Sequence, residues 1–180
     1  MSAVEFEQYL HVSFPASGLL GVSVEEAGPD GVRLRAPLET NVNVAATAFG
    51  GSLSTLAILS AWSWLRLRLD DLGFGGGLVI QRNTVEYLAP ATGDFEAHAH
   101  APAPEAWARF EHILSRRGRA RIELRADVHS EGLHVVRFSG QYVALRDAET
   151  RQPAAGGGEQ GRHGDGASLP ADLSFIIGGR

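Results

Sequence analysis

The sequence predicts an α+β protein with an antiparallel sheet of about six strands and one long helix inserted after the first two strands. Two observations carry this prediction. Apolar residues recur at helical spacing over residues 53–65, and segments on both sides alternate apolar and polar residues with a period of two. The order of these segments defines one antiparallel sheet interrupted by one helix.

The segments before the long helix predict a short helix and a hairpin. Ser2 to Val12 has the pattern of a short amphipathic helix. Gly18 to Ala27 alternates and predicts a strand, and Val32 to Ala36 returns beside it after a Gly-Pro-Asp-Gly turn. Pro37 to Gly50 is predicted to be a loop.

The long helix opens at Phe49-Gly50-Gly51-Ser52 and stops at Gly73. Apolar residues cover most of its circumference, so other structure or lipid must enclose it. Charged residues from Arg66 onward interrupt the run before the roughly 20 apolar residues that a membrane span requires. We therefore expect the sheet to enclose this helix, and we expect no membrane partner.

Four more strands are predicted after the helix. Residues 78–88 alternate, and if the odd positions face the core, Gln81 and Asn83 are buried amides that need partners. The other strands cover residues 94–101, 119–130 and 133–145, with a short helix or a wide excursion at 105–115. The domain is predicted to span residues 1–146, followed by a disordered tail at 147–180, where periodicity is lost.

Composition excludes several classes of function. The net charge of −5 gives no electrostatic reason to expect nucleic acid as a partner. The absence of Cys excludes disulfides, thiolate catalysis and Cys-ligated metals. His98 and His100 share a strand face but have no evident third ligand, so we expect no metal. The N-terminus has no apolar signal segment, and we expect a cytoplasmic protein without a cofactor.

Several separated pieces of the chain resemble the thioesterase domain of the C-terminal half of YiiD-type proteins, over roughly residues 5–146. The matching pieces are Asn41-Val42-Asn43, Thr47-Ala48-Phe49-Gly50-Gly51-Ser52-Leu53, Val79-Ile80 and Tyr87-Leu88-Ala89-Pro90. The resemblance implies a hotdog fold, in which the sheet wraps around one long central helix. It also implies an acyl-CoA or acyl-carrier thioester as substrate, with coenzyme A entering as part of it. A homodimer or dimer of dimers, with sites between subunits, is implied as well.

By the same resemblance, the backbone amides of Gly50 and Gly51 are candidates for the oxyanion hole at the helix start. Free N–H groups and the helix dipole favour negative charge at this position. The alternative is a glycine pair required only for tight packing, with Ser52 as a simple cap. Asn43 and Thr47 also have two interpretations: they orient water or the thioester oxygen, or they hold the loop together.

The general base is the least certain part of the predicted site. Related hotdog thioesterases carry a carboxylate about two turns into the helix, whereas this chain has Ile58 and Leu59 there, and Phe49 where His often stands. Helix hydroxyls remain, although such groups usually bond to the preceding turn. The candidate catalytic residues are Asn43, Gly50, Gly51, Ser54 and Asn83, and the candidate substrate-binding residues are Thr47, Phe49, Ser52, Thr55 and Gln81.

Three functions follow in order of preference. The first is a thioesterase that uses water as the nucleophile. The second is a hotdog protein that binds an acyl thioester without hydrolysing it, which the missing carboxylate favours. The third is a hydratase or dehydratase, which normally needs a His and an acid near the helix start. An Arg cluster at residues 116–121 either meets coenzyme A phosphates or is solvated.

Overall fold

The sheet in the described part of the chain, residues 2–146 of a computed structural model, has six strands that all pair antiparallel. Their order across the sheet is β1-β2-β4-β5-β6-β3, so β1 and β3 form its two edges. The predictions for residues 147–180 lie outside the described residues. The strands are β1 (Ser23–Ala27), β2 (Gly31–Ala36), β3 (Gly76–Tyr87), β4 (Phe95–His100), β5 (Arg119–Ser130) and β6 (Leu133–Arg146).

Two helices precede the sheet, α1 (Ala3–Ser13) and α2 (Pro15–Leu19). A capping box between Ser2 and Glu5 starts α1, and the predicted N-terminal helix is confirmed. The prediction that a strand begins at Gly18 is wrong. A proline at the first position favours a helix there, and the strand begins only after α2.

The long helix is α3 (Gly50–Asp71), and it packs against strands β2 to β6. Leu56, Ala57, Ala61, Leu65 and Leu69 are all fully buried, which confirms that the protein encloses this helix. Gly73 has a positive φ of 64° just beyond the helix end, as the predicted stop requires. None of the helices within residues 2–146 is long and apolar enough to cross a bilayer.

Strand β3 contains a bulge at Gln81. Ile80 pairs with Tyr142, and the next paired residue is Arg82, which lies opposite Gln141. The extra residue exchanges the two faces of the strand. Even positions before the bulge therefore share a face with odd positions after it. The prediction that the odd positions of the whole strand face one way is wrong.

The remaining elements agree with the sequence pattern. The inward side chains of β5 alternate as predicted, and Ala120, Ile122, Leu124, Ala126 and Val128 are all buried. Between β4 and β5 the chain forms a helix, α4 (Pro104–Arg117), which decides between the two predicted alternatives. Its Trp107 ring packs edge-on against the Trp64 ring of α3, with centroids 5.3 Å apart. These elements confirm the α+β class and the hotdog fold, with its antiparallel sheet around one central helix.

Candidate active site

The loop between Val42 and Phe49 leads into α3, and the Asn43 side chain lies at its centre. Its Oδ1 accepts hydrogen bonds from the backbone N–H of Ala45 at 2.8 Å and of Thr47 at 3.4 Å. Its Nδ2 donates to Thr47 Oγ1 at 3.0 Å and to the Ala48 carbonyl at 3.3 Å. These contacts support the interpretation that Asn43 holds the loop.

Asn41 connects the same loop to the N-terminal part of the chain. Its Nδ2 donates to the carbonyls of Leu20 at 2.9 Å and Pro37 at 2.7 Å. The backbone carbonyl of Asn41 accepts a hydrogen bond from the Phe49 N–H at 2.7 Å. The side chain is 3% exposed, and its Oδ1 is buried without a hydrogen-bond partner. Asn41 therefore fixes the entry of the chain into α3.

The first turn of α3 has unused backbone donors. Phe49 is the N-cap residue, and no side chain caps the helix. The N–H groups of Ser52 and Leu53 both donate to the Phe49 carbonyl, at 2.9 and 3.1 Å. No described residue accepts a hydrogen bond from the N–H of Gly50 or Gly51. Two donors at the positive end of the helix dipole are thus available to a ligand.

Two aromatic rings lie against these glycines. A Cβ added to Gly51 would overlap the Phe49 ring, and one added to Gly50 would lie 3.2 Å from Tyr87 Cε1. The Tyr87 hydroxyl donates to the Gly50 carbonyl at 2.9 Å. The glycine pair is therefore also needed for close packing, so the two interpretations of these glycines are compatible. Sequence reasoning missed Tyr87, although it opens the Tyr-Leu-Ala-Pro segment at the end of β3.

An open cleft of about 420 Å³ lies beside the start of α3. Of the residues predicted to form the site, Thr47 and Gly50 line it, and Tyr87 adds a third polar group. The backbone N–H of Ala48 donates to the Ala91 carbonyl at 2.8 Å. This bond connects the loop before α3 with the segment after β3, and both line the cleft. The lining residues are Thr47, Ala48, Gly50, Leu53, Tyr87, Leu88, Ala89, Pro90 and Ala91.

The helix hydroxyls bond within the helix. Ser54 Oγ donates to the Gly51 carbonyl at 3.0 Å, and Thr55 Oγ1 donates to the same oxygen at 2.8 Å. This back-bonding is the ordinary behaviour of hydroxyls in helices. Ser52 is buried. The structure therefore does not bring these three side chains to the lining of the cleft.

The strand amides are placed differently from the prediction. Asn83 is exposed on the edge strand, so the expectation that it is a buried amide is wrong. The reason is that, within residues 2–146, β3 pairs only with β6 and has no strand on its other side. Gln81 is half-buried at the bulge. Neither residue lines the cleft.

The cleft lacks the usual general base. None of the described residues that line it is Asp, Glu or His. Two turns into α3, the Ile58 carbonyl accepts a hydrogen bond from the buried Tyr142 hydroxyl at 2.8 Å. Burial raises the pKa of Tyr142, which keeps this hydroxyl neutral and a donor. Tyr142 is therefore a structural contact between helix and sheet and does not supply a base.

Several imidazoles lie away from the cleft on the outer face of the sheet. His100 Nε2 lies 3.2 Å from Asp127 Oδ2, and His134 Nε2 lies 3.0 Å from Asp127 Oδ1. His98 is half-buried next to His100, and burial lowers its pKa. Within residues 2–146 no group of three or more His, Asp or Glu side chains is arranged to hold a metal ion.

Residues 3–146 match the family described as "Putative thioesterase (yiiD_Cterm)". The chain belongs to this family. The match spans every helix and strand of the described structure. The resemblance seen in the sequence pieces around α3 is thereby confirmed.

Solved structures support the same relationship. A protein of unknown function from Chlorobaculum tepidum is 32% identical, with a TM-score of 0.76 over 81% of this chain and 94% of its own. A "putative thioesterase" from Shewanella oneidensis is 25% identical, with a TM-score of 0.70 over 79% and 96%. A thioesterase from Haemophilus influenzae is 15% identical and shares the fold, with a TM-score of 0.65 over 84% and 95%.

Proposed function

We propose that this member of the thioesterase family hydrolyses acyl-CoA or acyl-carrier thioesters in the cleft beside α3. The observation that carries the proposal is the uncapped glycine start of α3, whose two backbone donors have no partner among residues 2–146. Hydrolysis of a thioester passes through a tetrahedral intermediate with a negatively charged oxygen. Preorganised N–H donors stabilise such an oxygen as its charge develops. Gly50 and Gly51 take this role in the proposal.

In the proposed reaction a water molecule attacks the thioester carbonyl carbon. The carbon–sulfur bond then breaks, and the thiol leaves with a proton as the carboxylic acid forms. Thr47 is a candidate to orient the water, because the residue lines the cleft and its Oγ1 accepts a hydrogen bond from Asn43 Nδ2. No described residue accepts from the Thr47 hydroxyl, so its proton is available to the water or the substrate. Asn43 thus acts through Thr47.

The other predicted residues have supporting roles or none in this proposal. Phe49 is 58% exposed beside the start of α3, where its ring can contact the pantetheine arm or the acyl group. Ser54 and Thr55 bond to the Gly51 carbonyl in the first turn, where Ser52 is buried. Gln81 and Asn83 lie on β3 outside the lining of the cleft, and they take no role in this proposal.

A second candidate function is non-catalytic binding of an acyl thioester. The specific observation in its favour is that no described residue lining the cleft is Asp, Glu or His. The same donors at Gly50 and Gly51 would hold the carbonyl of a bound thioester. Water would then lack a general base to activate it.

A screen of thiol release from acyl-CoA substrates of different lengths separates the two functions. Turnover that is lost in Gly51→Val supports the thioesterase, since the new side chain would overlap the Phe49 ring beside the donors and disturb the helix start. Gly75→Val is the matched control, because a Cβ there meets no atom within 4 Å. If the wild-type protein binds acyl-CoA and hydrolyses none of the panel, the binding function replaces the thioesterase.

We also propose that a second copy of the chain completes the site. Strand β3 lies at an edge of the sheet formed by the described residues, and an edge strand favours pairing with another strand. Large apolar residues are exposed beside it on the loop and at the strand end: Val42, Val44, Phe49, Tyr87 and Leu88. Sedimentation velocity at micromolar concentration should give a dimer or a dimer of dimers, and a monomer would contradict the proposal.

A further inference from the structure

The Tyr87 hydroxyl is bonded to the peptide group that carries one of the proposed oxyanion donors. It donates to the Gly50 carbonyl at 2.9 Å. That carbonyl and the N–H of Gly51 belong to the same peptide unit, which is planar and conjugated. We propose that Tyr87 is a positioning residue that orients and polarises the Gly51 N–H for the thioester oxygen. This inference rests on the proposed function and adds a residue to it.

Orientation is the first part of the argument. Gly50 and Gly51 lack side chains that would restrict their backbone, and the start of a helix has no intrahelical bonds to its first N–H groups. The Gly50 carbonyl lies in the first turn, where the backbone N–H of Ser54 is its intrahelical donor, and Tyr87 adds a second donor from outside the helix. Tyr87 lies at the end of a strand paired with β6, opposite the fully buried Val136, so its backbone is fixed.

Polarisation is the second part. A hydrogen bond accepted by a peptide oxygen draws electron density from the nitrogen and makes the N–H of that peptide a stronger donor. Hydrogen bonds in such chains strengthen one another by about 10–30%. The chain here runs from the Tyr87 O–H through the Gly50 carbonyl to the Gly51 N–H. The third link is the substrate oxygen, which gains charge in the transition state.

The glycine at position 50 fits this arrangement. The Tyr87 ring lies where a side chain would project, with Cε1 3.2 Å and the hydroxyl oxygen 3.4 Å from the position of an added Cβ. A larger residue would displace the ring and break the bond to the carbonyl. If the ring only packed against Gly50, removal of the hydroxyl would not change catalysis. A variant that lacks only the hydroxyl therefore distinguishes packing from hydrogen bonding.

The kinetic test compares Tyr87→Phe with wild type on the best substrate of the acyl-CoA panel. The ring is retained and the residue is 56% exposed, so the melting temperature should stay within about 3 °C. We expect kcat to fall by about three- to tenfold, the range for loss of one hydrogen bond, with KM within about twofold. An unchanged kcat, or a loss confined to KM, would overturn the proposal.

Tyr9→Phe is the matched control. Tyr9 is 38% exposed on α1, where its ring stacks on Trp62, and its hydroxyl has no hydrogen-bond partner in the described residues. This variant removes the same atom far from the start of α3. We expect its kcat and KM to equal those of wild type. A loss equal to that of Tyr87→Phe would show a general effect of the substitution and overturn the proposal.

A spectroscopic test works whether or not the protein hydrolyses thioesters. The probe is a ¹³C-labelled ketone analogue of acetyl-CoA, in which a methylene group replaces the sulfur. On binding to wild type its carbonyl stretch should move to lower frequency, and in Tyr87→Phe this shift should be smaller. Equal shifts, or none in wild type, would overturn the proposal. A shift that depends on Tyr87 in a protein without turnover would reject hydrolysis and retain the role of Tyr87.

Discussion

Asn43 illustrates how a single side chain can serve the site indirectly. Both ends of its amide are bonded inside the loop, so it has no remaining group aimed at the cleft. Its contribution passes through Thr47, which it holds against the cleft. Sequence reasoning identified the residue but could not choose between its two roles, because both need an amide at that position.

Asn43→Ala should lower the free energy of unfolding by about 1–2 kcal/mol, because the loop loses side-chain hydrogen bonds at both ends of the amide. Turnover should fall without being abolished, since Thr47 stays in place but loses its donor. Chemical denaturation and steady-state kinetics measure the two effects. The exposed Asn83→Ala should change the unfolding free energy by less than about 0.5 kcal/mol, and an equal effect at both positions would contradict this account.

His98 couples stability to pH. Its pKa is lowered from the usual value for histidine, first by burial and then by the neighbouring His100. The folded protein therefore binds this proton more weakly than the unfolded chain does. The stability that depends on neutral His98 is present above the unfolded pKa and is lost as the pH falls through the folded pKa. Glu26, Arg33 and Asp127 act on the same imidazole more weakly.

The expected result is a difference between wild type and His98→Gln that changes with pH. The unfolding free energy of wild type should fall relative to that of the variant as the pH is lowered from about 7.5 to 5.5. Urea denaturation across this range measures it. A difference that is constant, or that changes in the opposite direction, would show that His98 does not titrate in this way.

At the scale of elements, the connection from α3 to β3 is held by one buried cation. Arg66 donates through Nη1 to the Gly76 carbonyl at 3.1 Å and through Nη2 to the Phe74 carbonyl at 2.8 Å. The same Nη2 contacts the Asp70 carboxylate. The side chain is only 8% exposed. It thereby satisfies carbonyl groups where the helix ends and the edge strand begins.

Arg66→Ala should therefore lower the unfolding free energy by about 2–4 kcal/mol, because carbonyl acceptors lose a charged donor and a gap is left beside them. Thermal and chemical unfolding would detect this loss. Arg109→Ala removes an exposed arginine from α4 and should cost less than about 0.5 kcal/mol. Similar losses for both variants would mean that the hydrogen bonds of Arg66 contribute little.

The sequence predicted most reliably the elements that have one buried face. Strand β5 lies between β4 and β6, its inward residues are buried throughout, and its predicted bounds match the structure. The position of the edge strand β3 was predicted correctly, but the residues that share each of its faces were not. A bulge adds one residue without changing the local composition, so Gln81 could not be recognised from alternation alone. The short helix α2 was missed for a similar reason, because five residues carry little periodicity.

The candidate site could be predicted only in part. The glycine pair and the loop asparagine have sequence signals, because their residue types are restricted by the backbone. Tyr87 belongs to one of the pieces that carry the family resemblance, but the sequence does not indicate its contact with Gly50, which lies 37 positions away in the chain. The hydroxyls of Ser54 and Thr55 look functional in a sequence, yet both bond to Gly51. This is the usual bonding of hydroxyls in a helix, so their presence in the sequence was weak evidence for a catalytic role.

For the whole molecule, the packing of helix against sheet limits the space for an acyl group. Leu53 is 3% exposed and forms the inner wall of the cleft. Farther along α3 and on β6, Leu56, Phe138 and Tyr142 are fully buried, and the Tyr142 hydroxyl is bonded to the helix at Ile58. An acyl chain that extends past the first turn of α3 must displace these side chains. Close packing makes such displacement costly.

We therefore expect short acyl chains to be hydrolysed faster than long ones. Leu53→Ala should move the preferred length upward by about two carbons, because it removes side-chain atoms from the inner wall of the cleft. Leu65→Ala is the matched control. It removes the same atoms from a fully buried position three turns farther along α3, with a similar cost of about 2–5 kcal/mol. If both variants keep the wild-type preference, or if wild type prefers long chains, Leu53 does not set the length of the acyl group.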